Sequence, residues 1–123
     1  AKKVFQHSYS PYSKFKVSAA VLTENNSFFS GVNVENSSYG ATLCAERVSI
    51  FKAISEGNRK IEEILVLTDS NKPWPPCGMC LQVLSEFASP NIKIHVANLN
   101  GIQKTYTFDK LLTQAFTPDY LQR

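Results

Sequence analysis

Hydrophobic and polar positions follow two different periods along this chain, and the switches between them mark its elements. Residues 16–23 and 28–34 are β-rich runs separated by Glu24-Asn25-Asn26-Ser27, a cluster that favours tight reversal and predicts a hairpin. Over residues 42–56 the period changes, since Ala45, Val48, Ile50, Ala53 and Ile54 recur near helical spacing and Gly57 stands where a helix would stop. Residues 63–68 are a nearly continuous apolar run, the pattern of a central strand covered on both faces. A second helix is predicted over 77–88, then strands over 92–97 and 104–108 around the strong turn signal Asn100-Gly101. A short helix from Asp109 leads into a tail that ends around Pro118, and only residues 1–7 remain for a short N-terminal helix. The order α-β-β-α-β-α-β-β implies a layered α/β fold with helices on both faces of one sheet.

A length of 123 residues with 43% hydrophobic content predicts a single domain, residues 1–123, with one buried core. The net charge of +3 comes from Lys and Arg spread along the chain without a block of like charges, which argues against nucleic acid as a partner. No apolar stretch approaches the roughly 18 residues of a membrane span, and the N-terminus lacks the apolar core of a secretory signal. An odd set of 3 cysteines with a C-x-x-C pair fits reduced thiols or a metal better than disulfides, so a cytoplasmic location is expected.

Those cysteines carry the chemistry. They stand in Cys44-Ala45-Glu46 and Pro76-Cys77-Gly78-Met79-Cys80, each where a helix could begin. Three thiolates on Zn2+ leave one tetrahedral position open for water, as catalytic zinc sites require, and Glu46 would handle that water's protons. Unpaired N–H groups at two helix starts would help keep the sulfurs anionic. Arg47 would offset the surplus negative charge, because a guanidinium can donate to two sulfurs and keeps its proton near neutrality. Duller readings stay open on the residues alone. A C-x-x-C pair also serves as a redox couple or as half of a structural zinc knuckle, although the knuckle needs a fourth ligand. His7 and His95 are the only histidines, and His95 lies inside a strand run. An acid such as Glu46 is also common in a helix's first turn without function.

Four separated segments then resemble the zinc-dependent cytidine deaminases of the small homotetrameric type, within the cytidine and deoxycytidylate deaminase family. They are Cys44-Ala45-Glu46-Arg47, Pro76-Cys77-Gly78-Met79-Cys80, the run from Tyr12-Ser13-Lys14-Phe15 to Ala20, and the run from Gly31-Val32-Asn33-Val34-Glu35 to Gly40. The resemblance implies a three-layer α-β-α sandwich with a five-stranded mixed central sheet and one Zn2+ per subunit. It implies hydrolytic deamination of cytidine and deoxycytidine in pyrimidine salvage, with Glu46 as the acid/base catalyst and Cys44, Cys77 and Cys80 as ligands. Phe15, Asn33, Glu35, Ala45 and Phe116 match substrate-binding positions, Asn33 and Glu35 toward the sugar hydroxyls and Phe15 toward the pyrimidine. Phe116 matches a residue that reaches a neighbouring subunit's site, and Tyr39 one at the subunit junctions.

Two positions depart from the usual pattern. The family commonly has arginine after the second cysteine pair, where this chain has Leu81-Gln82, which leaves charge compensation to Arg47. The approach Trp74-Pro75-Pro76 to the ligand loop is also unusual. Rival readings are a deaminase of another aminopyrimidine, such as a nucleoside antibiotic, and an RNA-editing or nucleic-acid-binding zinc module. A nucleotide substrate is disfavoured by the absence of a glycine-rich phosphate loop, although Lys14 and Lys16 flank Phe15.

Overall fold

The computed structural model describes residues 1–121. Its framework is a five-stranded sheet built from β1 (Val17–Thr23), β2 (Phe28–Val32), β3 (Ile61–Thr68), β4 (Ala88–Asn98) and β5 (Gly101–Thr107), in the order β2-β1-β3-β4-β5. Only β3 and β4 run parallel; β1 pairs antiparallel with β2 and β3, and β5 pairs antiparallel with β4. The sheet is therefore mixed, as expected. The β1–β2 connection is the anticipated hairpin, closed by Thr23 N–H donating to Ser27 O and turned at Asn26, whose φ is 60°.

Helices α1 (Ala45–Ser55), α2 (Gly78–Ser85) and α3 (Phe108–Leu111) supply the main covering layer. Ile50 and Ala53 of α1, Leu81 and Leu84 of α2 and Phe108 of α3 bury themselves against Val21, Ile64 and Ile94 of the sheet. Residues facing the other way on the same strands, Leu67 and Ala97, meet Phe5 from the N-terminal segment. That second outer layer is thin. The predicted N-terminal helix is a single 3-10 turn, Phe5–His7, seated by one apolar anchor, Phe5.

Several boundaries differ from expectation for physical reasons. The first long helix starts at Ala45 rather than at 42, since Tyr39–Ala41 forms its own 3-10 turn and Leu43 pairs with Val34 through two backbone hydrogen bonds. Helix α2 stops at Ser85 because Ala88 already belongs to β4. Strand β4 begins before Pro90, and the ladder with β3 is irregular there, where a proline without an N–H is tolerated. Strand β5 starts early at Gly101, and Phe108 leaves it to enter the core at the head of α3.

One glycine fixes how close α1 comes to the sheet. A Cβ at Gly31 of β2 would lie 2.8 Å from Ser49 N and 2.8 Å from Val48 Cγ1. Only a residue without a side chain permits that approach, which sets the position of the α1 N-terminus.

Candidate functional site

The two helix starts converge. Cys44 is the extended residue before α1 and Cys77 the extended residue before α2, while Cys80 sits in the first turn of α2. The sulfurs of Cys44, Cys77 and Cys80 all lie within 4.8 Å of one another, and all three thiols are free. Cys77 and Cys80 are 3.6 Å apart, Sγ to Sγ. Among the described residues these three form the one cluster suited to a metal ion. Neither histidine joins it, so the fourth protein ligand of a structural zinc knuckle is missing from the described residues.

The sulfurs and Arg47 are electrostatically linked. The Cys44 thiol is pulled well below its usual range by a hydrogen bond from Cys80 and by Arg47, so Cys44 accepts as a thiolate while Cys80 keeps its proton and is pushed up. Arg47 Nη2 lies 3.5 Å from Cys44 Sγ and 3.3 Å from Thr42 O. Its Nε is buried without a hydrogen-bond partner. Three thiolates are a tetrahedral zinc donor set with one position left over, and the half-buried Arg47 guanidinium beside Cys44 offsets their surplus negative charge, so the donor set fits zinc. Leu81, at the position of the second cation expected from the family pattern, is buried in the core.

Glu46 occupies the first turn of α1 and is 6% exposed. Burial pushes its carboxyl up to about 7, with the neighbouring Cys44 charge acting in the same direction. A carboxyl poised near neutrality can both take and give a proton. Ala45 beside it is completely buried, main chain included, so the structure leaves no surface of this residue open to the cleft.

A cleft of about 390 Å³ lined by Tyr12, Ser13, Glu35, Tyr39 and Thr42 adjoins the metal cluster through Thr42, whose carbonyl holds Arg47. Glu35 accepts from the backbone N–H groups of Tyr12 and Ser13, each at 3.0 Å, and from the Ser13 hydroxyl. The Ser13 hydroxyl bond, then the backbone bonds, hold its carboxyl below the usual range, so it stays ionised. Asn33 is largely committed to structure: Oδ1 accepts from Ser8 Oγ and from Val17 N–H, and Nδ2 donates to Phe15 O at 2.8 Å. One amide hydrogen of Asn33 remains for a ligand.

The aromatic residues divide. Phe15 stays exposed and packs edge-to-face against Trp74, ring centroids 5.6 Å apart at 88°. Tyr39 meets Tyr12 in a similar T-shaped pair at 6.0 Å. Phe116 is held at α2 by Gln82 and stacks on Tyr120. Sequence reasoning named Phe15, Tyr39 and Phe116 but missed Trp74 and Gln82 as their partners. The one available signal was composition, since Trp74 is the chain's single tryptophan and sits directly before the ligand loop.

A second cavity, about 620 Å³, lies elsewhere, on the sheet face that carries the N-terminal segment, and is lined by residues such as Leu22, Leu65, Leu67 and Ile102. It holds none of the thiols, so its size does not make it the reaction site.

Comparison with known proteins decides the family. The cytidine and deoxycytidylate deaminase zinc-binding region matches residues 1–96. The chain belongs to this family. A protein named cytidine deaminase from Halalkalibacterium halodurans is 46% identical over 111 residues, covering 90% of this chain and 84% of the relative. The crystal structure of a cytidine deaminase from Burkholderia pseudomallei superposes with a TM-score of 0.87 at 39% identity, covering 94% of this chain and 93% of the other. Blasticidin-S deaminase from Bacillus cereus is more distant, 28% identical over 112 residues that cover 85% of this chain and 79% of the relative. The family's zinc-binding region includes all three thiols, and its fold is the mixed five-stranded sheet described above.

Proposed function

We propose that this chain deaminates cytidine and deoxycytidine hydrolytically, giving uridine or deoxyuridine and ammonia in pyrimidine salvage. The observation that carries this reading is the convergence of three thiols within 4.8 Å at two helix starts, with the buried Glu46 carboxyl beside them. Likeness to proteins named cytidine deaminase over most of the chain supports the choice of nucleoside.

Cys44, Cys77 and Cys80 hold one zinc, and Arg47 offsets the charge of their thiolates. When bound, zinc supplies Lewis acidity that makes water nucleophilic near neutral pH. Glu46 takes the water's proton and delivers it to the ring nitrogen next to the amino-bearing carbon. It then carries a second proton to the exocyclic amine, which leaves as ammonia. Its place in the first turn of a packed helix and its burial hold this carboxyl beside the thiol cluster, within reach of a water there.

Substrate contacts follow the neighbouring groups. Glu35, held ionised by Ser13 and Tyr12, accepts a sugar hydroxyl, and Asn33 offers its remaining amide hydrogen to the same sugar. Phe15 provides an apolar surface for the base, and Ala45, at a substrate-binding position of the family pattern, backs the site from the head of α1. The whole of residues 1–123 acts as one deaminase domain within a homotetramer with shared sites. Phe116 and Tyr39, aromatic residues 57% and 76% exposed, are the groups that a neighbouring subunit would cover in that assembly. Free thiols fit the reducing cytoplasm as its location. No described helix is long and apolar enough to cross a membrane.

A substrate panel tests the proposal: cytidine, deoxycytidine, cytidine monophosphate, blasticidin S and single-stranded RNA, with the zinc-loaded chain and chromatographic product analysis. Conversion of the two nucleosides well ahead of the rest is the expected result. Preference for the antibiotic, or activity confined to RNA, would replace the nucleoside reading with the corresponding rival.

A further inference from the structure

The loop that delivers Cys77 contains a residue that the metal chemistry does not use. Trp74 lies between Pro73 and Pro75, and Pro76 follows, so fixed φ angles restrict the backbone on both sides of it. Its indole meets the ring of Phe15 edge-to-face, with centroids 5.6 Å apart at 88°. Both side chains nevertheless keep much of their surface in solvent, Phe15 at 57% and Trp74 at 38%. Two large aromatic groups, held in a defined mutual geometry and left open, form a rigid apolar corner.

The corner is anchored on two sides. The Phe15 N–H donates to Ser13 Oγ at 3.1 Å, and Ser13 in turn holds Glu35, so the ring is tied to the polar cleft. Asn33 grips the Phe15 carbonyl at 2.8 Å. On the other side, Pro75 and Pro76 alone separate Trp74 from the thiol of Cys77. The aromatic pair is therefore linked through Phe15 to the group suited to a sugar and through Trp74 to the loop that carries a metal ligand, and a planar base has to reach from the one to the other.

We propose that Trp74 is a substrate-binding residue of this chain, forming with Phe15 an aromatic corner that receives the pyrimidine ring. This inference rests on the nucleoside-deaminase reading above and adds to it a base contact supplied by the ligand loop itself.

Trp74 is the only tryptophan in the chain, so its fluorescence reports this residue alone. Zinc-loaded protein, first shown to deaminate cytidine, is titrated with uridine while tryptophan emission is recorded. Saturable quenching is expected, with the same midpoint as uridine's inhibition of cytidine turnover. Trp74→Ala should raise KM for cytidine by roughly 5- to 100-fold, the range for loss of one base–aromatic contact, with a much smaller effect on kcat. Trp74→Phe should recover part of the loss, and zinc content with a melting curve checks that both variants fold. Emission that stays constant while uridine inhibits overturns the inference and leaves the deaminase reading intact. A Trp74→Ala protein that folds, binds zinc and keeps the parent KM also overturns it. Failure of the parent protein to deaminate cytidine removes the nucleoside reading and this inference with it.

Discussion

Gln82 binds Phe116 as a backbone strand would: its side-chain amide donates to Phe116 O at 2.8 Å and accepts from Phe116 N–H at 3.1 Å. Gln82 stands two residues after Cys80 on α2, so the segment bearing Phe116 is fastened to the same helix that presents two thiols. Each such bond contributes about 1 kcal/mol at most near the surface. The pairing matters for where Phe116 points more than for global stability.

Phe116→Ala should impair turnover while each chain stays folded, and Gln82→Ala should raise KM in the same direction by a smaller factor. If Gln82 acts through Phe116, the double variant will be no worse than Phe116→Ala alone, as a double-mutant cycle would show. Additive losses would mean that Gln82 has a separate task. Sedimentation of the fully active parent as a monomer would contradict the shared-site assembly.

Glu46→Gln removes the proton carrier without touching a sulfur. Zinc content and melting temperature should be preserved while kcat falls by at least roughly 10² to 10⁴-fold, the usual worth of a positioned acid/base. A variant with near-parental turnover would sink the role assigned to Glu46.

Zinc uptake should release protons at neutral pH. Cys44 is held as a thiolate and has little to give up, whereas the Cys80 thiol is pushed up by its bond to Cys44 and by burial and must lose its proton to bind metal. Zinc affinity therefore rises with pH. Calorimetric titration in buffers of different ionisation enthalpy measures the proton count, and a count of zero at pH 7 would contradict this electrostatic picture.

Gly31→Ala places a methyl group 2.8 Å from the Ser49 backbone nitrogen. Helix α1 must retreat, at a cost of roughly 1–3 kcal/mol typical of overpacking, and it carries Glu46 and the segment leading from Cys44 with it. A melting temperature equal to the parent's would show that the approach of α1 to β2 is less tight than described.

Much of this was legible in the sequence because the elements announce themselves locally. The hairpin at residues 24–27, the apolar run that became β3 and the helical spacing behind α1 each lie within one short window. Where long-range packing decided, local signals failed. Phe108 reads as the end of a strand yet enters the core as the first residue of α3, and Ser89-Pro90-Asn91 reads as a break yet lies inside β4. The three cysteines were readable as a zinc set because few other residue types can serve that chemistry. The contacts of Trp74 with Phe15 and of Gln82 with Phe116 join distant segments and follow from the folded backbone, so no spacing in the sequence encodes them.

The most direct test of zinc-dependent nucleoside deamination is the ultraviolet absorbance of cytidine incubated with chain shown to carry one zinc per subunit. The prediction is a steady spectral conversion to uridine with equimolar ammonia, abolished by removing zinc and restored by adding it back. An unchanged cytidine spectrum over protein with full zinc content would contradict the account.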